Sequence, residues 1–159
     1  MNWKIVFIGG VAMYIATFLV GMLTGPLIHE GVLKEAYIAT ASFWRPELNQ
    51  QPPDMAALMP RWITTGLIGA FICAGVYSIV RSSLAGAGWM RGLKFGVILS
   101  VLALGFMGAY SGVFNLPDTI WVWWAIGTVV TYLVGGIALG FVAEKLAPAG
   151  GSVPMAARA

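Results

Sequence analysis

Charge is what this sequence lacks most. Of its 159 residues only 9% are Asp, Glu, Lys or Arg, against 59% hydrophobic residues and a mean hydropathy of +0.85. Soluble domains carry roughly a quarter charged residues, so this chain cannot screen its apolar surface from water by itself. An integral membrane protein follows, with the lipid bilayer as its first partner. The net charge of +3 is too dilute and scattered for a nucleic-acid surface. The single cysteine, Cys73, excludes an internal disulfide and any paired-thiol redox motif. The single histidine, His29, is equally restrictive. A catalytic metal takes three protein ligands, and a Ser-His-Asp arrangement would have to use His29 without any G-x-S-x-G elbow. No catalytic residue, metal or cofactor is expected, and the protein reads as a non-enzyme.

What is present is length in apolar runs. Four stretches, about 5–28, 62–80, 95–114 and 119–143, reach the roughly 20 residues needed to cross about 30 Å of hydrocarbon. Their interiors hold no Asp, Glu, Lys, Arg or His. The runs are continuous rather than alternating, which excludes a transmembrane barrel. The expected fold is all-α: a polytopic membrane protein with four transmembrane helices in one bundle, forming a single domain over residues 1–146, and a flexible Gly/Pro-rich tail over 147–159. The first run exceeds a secretory signal core and reads as a retained helix.

Loop charges give an orientation. Arg81, Arg91 and Lys94 lie between the second and third runs with no acidic residue among them, whereas Asp118 is the one charge between the third and fourth. The positive-inside rule places the first of these loops, and with it both termini, in the cytoplasm. Tryptophan marks the same boundaries: Trp3, Trp62, Trp89, Trp121, Trp123 and Trp124 fall near run ends, as interface anchors do. A cage of tryptophans around a cationic ligand is the alternative, and the belt is the preferred reading. In the long first loop, Leu33, Tyr37, Thr40 and Trp44 recur at helical spacing and predict a short interfacial helix. Pro60 is expected to break the chain before the second run, and Pro26 to close the first.

Glycine is the most informative residue inside the runs. Gly21 and Gly25, Gly92 and Gly96, Gly108 and Gly112, and Gly136 and Gly140 are each spaced four apart. This spacing lets helix backbones approach closely in lipid. Packing within the chain is the first reading, and contact with a second copy or another protein is the second. The stretch GPLIHEGVLKE joins the only histidine to a glutamate at the end of the first run. His29 and Glu30 are therefore the candidates for cofactor or haem binding. The simpler reading makes His29 an interfacial residue able to titrate near neutral pH, with Glu30 paired to Lys34 at i,i+4.

The opening Met1-Asn2-Trp3, the Gly25-Pro26-Leu27 exit, the first loop of about 30 residues and the glycine-spaced last run resemble small bacterial four-helix membrane families known only as domains of unknown function. The resemblance implies a bacterial inner-membrane setting and no activity. The sequence therefore leads to a non-enzymatic membrane protein acting by helix packing, as an accessory or assembly partner of a larger complex or as a homo-oligomer. A small channel or permease for a neutral or weakly charged solute is the alternative, and a metal- or haem-binding protein using His29 is a further one.

Overall fold

The computed structural model describes residues 1–148, and every regular element in them is helical. Four helices are long and apolar enough to cross a membrane: Ile5–Val32, Met55–Ser83, Gly88–Ser111 and Asp118–Leu146. The first is a π turn Ile5–Gly9, an α-helix α1 (Gly10–Gly25) and a second π turn Pro26–Val32 in continuous succession. A short α2 (Lys34–Ala39) follows, then 3-10 turns Ala41–Phe43 and Pro46–Asn49. The remaining helices are α3 (Met55–Val80), extended by a 3-10 turn Arg81–Ser83, α4 (Gly88–Ser111) and α5 (Asp118–Leu146). The 29 residues of α5 span about 43 Å at 1.5 Å per residue. The four long apolar helices expected from composition are thus present, and the expected tail lies outside the described residues from residue 149 onward.

Two boundaries differ from the sequence expectation, each for a local reason. Pro26 does not close the first run. The helix widens there, and Leu33 N–H reaches back to Ile28 C=O at 2.8 Å. A residue with no N–H fits the point at which the hydrogen-bond register changes. The ion pairs found among the described residues are Arg45–Glu47 and Arg91–Glu144, and Glu30–Lys34 is not one of them.

Pro60 likewise lies inside α3 rather than before it. It falls in the second turn, where it removes a single early helical bond, and Thr64 Oγ1 donates to its carbonyl at 2.8 Å. The helix starts at Met55 because Asp54 caps it, its carboxylate accepting from Ala57 N–H at 3.0 Å. Asp54→Ala is expected to cost about 1 kcal/mol and to fray the first turn, which a lowered Tm in detergent would report.

By backbone contact the helices follow one another in a row, α3, α1, α5, α4, with α1 between α3 and α5 and α4 resting on α5, and at one end side chains of α3 and α4 also meet. The buried cluster of Ile5, Met13, Tyr77, Phe95, Leu139 and Ala143, with Ala70 and Ala74, lies toward the end that carries Arg81 and Arg91. This basic end is tied by side chains that reach backbone. The Arg81 guanidinium donates to Ala143 O at 3.1 Å and also to Ala147 O, neutralising the C-terminal carbonyls of α5. Arg91 donates to Leu84 O at 2.9 Å and pairs with Glu144 at 3.0 Å. Tyr77 packs on Phe95 with centroids 5.2 Å apart, linking α3 to α4 here.

Candidate functional site

The opposite end is aromatic, and it gathers residues that the sequence leaves scattered. The stripe Leu33, Tyr37, Thr40, Trp44 forms as expected: Leu33 and Thr40 are buried, Tyr37 and Trp44 half-buried. Two indole N–H groups converge on Tyr37. Trp124, from α5, donates to the Tyr37 hydroxyl at 2.7 Å. Trp44 donates to Tyr37 C=O at 3.2 Å and to Thr40 Oγ1 at 3.0 Å.

His29 Nδ1 completes this chain, 2.7 Å from the same Tyr37 hydroxyl, with the two rings stacked at 5.4 Å. An indole N–H can only donate, so the Tyr37 oxygen accepts from Trp124. With His29 as the Nε2–H tautomer, the Tyr37 proton goes to Nδ1. Burial pushes the Tyr37 phenol above its ordinary pKa, and the bond from Trp124 only partly opposes this. The hydroxyl is a proton-bearing hinge between the first helix and α5 at any physiological pH.

Beyond this hinge the aromatic end opens into a cleft of about 380 Å³. Phe43 and Trp44 come from the first loop, Tyr110 and Phe114 from the end of α4, and Trp121 and Trp124 from the first turns of α5. The Trp44 and Trp124 rings stand at 67° with centroids 5.9 Å apart, and Trp121 and Trp124 at 78° and 5.6 Å. No charged residue lines the cleft. Trp44, Tyr110 and Phe114 were not singled out as anchors from the sequence. Only the 3.6-residue stripe of the loop pointed to Trp44, and nothing local marked the end of α4.

Of the other tryptophans, Trp3 and Trp89 are exposed at the basic end, and Trp3 stacks on Phe7 at 5.9 Å. Trp62 is exposed on α3 at the rim of a second cleft of about 390 Å³ between α1, α3 and α5. Thr17 and Thr65 line it, but each hydroxyl is bonded back to its own helix, to Tyr14 O at 2.9 Å and Arg61 O at 2.8 Å. Trp123 is half-buried.

The glycine pairs divide sharply. Gly92 and Gly96 face Gly136 and Gly140 across the α4–α5 contact. A Cβ on Gly140 would sit 2.6 Å from Gly92 Cα, and one on Gly136 would sit 3.0 Å from Gly96 Cα. Gly88 extends the seam against Glu144 and Gly140 O. Gly21 and Gly108 have nothing within 4 Å, Gly25 meets only its own His29, and Gly112 only its own Ala109. Half of the predicted packing glycines are thus used inside the chain and half face outward.

His29 and Glu30 do not form a ligand set. Glu30 is exposed, His29 Nδ1 is engaged by Tyr37, and no group of three His, Cys, Asp or Glu side chains converges among the described residues. No protein-family model matches the chain, nor does any curated protein or solved structure.

Proposed function

We propose that the chain is a non-enzymatic protein of the bacterial inner membrane, with both termini cytoplasmic, that works by helix packing as an accessory subunit of a membrane complex or as a homo-oligomer. The observation that carries this reading is the outward glycine face of α4. Gly105 and Gly108 have nothing within 4 Å, and α4 stands at the end of the row with α5 on one side. Small residues facing lipid forgo dispersion contact, and a helix laid against them recovers it. The seam on the other side of the same helix supports the reading, since there glycines four apart bring two backbones together. Among the described residues the hydroxyls of Ser78, Ser100 and Ser111 donate to backbone carbonyls of their own helices rather than to a base, which favours a non-catalytic role.

The test is the mass of the purified protein in mild detergent. The native chain is expected to run as an assembly of several copies or with a co-purifying protein. The double substitution Gly105→Leu and Gly108→Leu is expected to reduce it to a single chain while leaving the α4–α5 seam intact. A native protein that is already a lone monomer defeats the proposal.

A further inference from the structure

We infer that the aromatic cleft at the Tyr37 end is a binding site for a quaternary ammonium group, with Trp44, Trp121 and Trp124 as its walls. This goes beyond the packing role and rests on separate residues. In a membrane-interface belt the indole N–H turns toward headgroups and water. Here the N–H groups of Trp44 and Trp124 turn inward and are consumed by Tyr37 and Thr40. What remains toward the cleft is ring surface. Trp124 meets Trp44 and Trp121 in T-shaped contacts, at 67° and 78°, so the three indoles stand at angles to one another rather than in a stack. Phe43 and Phe114 add further apolar faces.

Such an enclosure has a definite preference. The faces of aromatic rings carry negative potential and attract a cation placed over them. A primary ammonium would enter with three N–H donors and find, among the lining side chains, no carboxylate and only the Tyr110 hydroxyl to receive them. A trimethylammonium group has no N–H to satisfy and presents methyl groups to the rings. No Lys or Arg lines the cleft to repel it, and Asp118, exposed, begins α5 one turn before Trp121. The His29–Tyr37–Trp124 chain then acts as a brace, fixing the Trp124 ring from behind.

The ligand chemistry could come from a choline lipid headgroup or from a small soluble quaternary amine. In dodecyl maltoside, tetramethylammonium and choline are expected to give a saturable change in tryptophan fluorescence. Choline is expected to bind about tenfold more tightly than 3,3-dimethylbutanol, its uncharged isostere. Trp121→Leu, which keeps apolar bulk but removes a ring face, is expected to weaken choline binding about tenfold with the helical circular dichroism unchanged. In nanodiscs, loss of the choline response in phosphatidylcholine but not phosphatidylglycerol identifies the headgroup as occupant. An equal response in both identifies a soluble amine. No saturable response, or equal affinity for the uncharged isostere, overturns the inference without recourse to any variant.

Discussion

Replacing Gly92 by alanine is expected to destabilise the protein by about 3 kcal/mol, about 6–12 °C in Tm for a chain of this size. The new Cβ would lie 2.8 Å from Gly140 Cα and closer still to the Gly136 carbonyl oxygen. Both obstacles are backbone, so no rotamer change relieves them. The two helices must move apart, and the contact loosens along its length, because the backbones are as close elsewhere in it: a Cβ on Gly88 would lie 2.9 Å from Gly140 O, and one on Gly96 3.1 Å from Leu133 Cα. In lipid the loss is one of dispersion and weak hydrogen bonds, with no compensating gain from water. Gly108→Ala is the paired control. With nothing within 4 Å of its added methyl group, it should leave the chain's own fold at least as stable, since alanine exceeds glycine in a helix by about 1 kcal/mol. Thermal unfolding of both variants in one detergent decides the matter: equal midpoints would mean that α4 and α5 are not sealed at these glycines.

Tyr37→Phe is expected to cost about 1–3 kcal/mol through a single oxygen atom. The ring stays, so its stacking on His29 and its edge contact with Trp44 are retained. What is lost is the acceptor for Trp124 Nε1–H and the donor to His29 Nδ1. A half-buried indole N–H without an acceptor keeps its desolvation cost with nothing in return. The damage should be local: faster amide exchange in the short helix Lys34–Ala39, and altered fluorescence from Trp44 and Trp124. Nitrogen NMR of neutral His29 should show the Nε2–H tautomer in the native protein and a mixture in the variant. A native protein with Nδ1 protonated would refute the assigned direction of the chain.

The overall architecture was legible in the sequence because it is governed by bulk properties. Runs of about 20 apolar residues without charge have few other fates, and each predicted run lies within one of the four long helices or overlaps it closely. The ends were less legible because proline was given too much weight. Pro60 does little harm in the second turn of a helix already capped by Asp54, and that aspartate was the available signal. Pro26 is absorbed by a π turn, which no local pattern announces.

The site was legible only in fragments. The loop stripe showed Tyr37 and Trp44 on one face, and the Trp121–Trp124 cluster was conspicuous, but their meeting depends on α2 folding back against α5. The hydrogen bond from Trp124 to Tyr37 joins residues 87 positions apart, beyond the reach of periodicity. The glycine spacing was visible as well, but all four pairs look alike in sequence. Which pairs meet a neighbour is decided by the order of the helices in the row, so Gly92 and Gly136 are committed while Gly21 and Gly108 remain outward.

That order has a consequence for biogenesis. Since α1 sits between α3 and α5, the first long helix to leave the ribosome has one flank that only the last helix can cover. The intervening 33–117 stretch takes on the order of 10 s to synthesise. For that interval the small side of α1, with Gly9 and Met13 awaiting Leu139 and Gly135, must be screened by lipid or by the insertion machinery. The C-terminal hairpin faces no such delay: six residues separate α4 from α5, and their seam closes as soon as α5 enters. Nascent chains truncated before residue 118 should therefore be the ones recovered with insertion factors still attached.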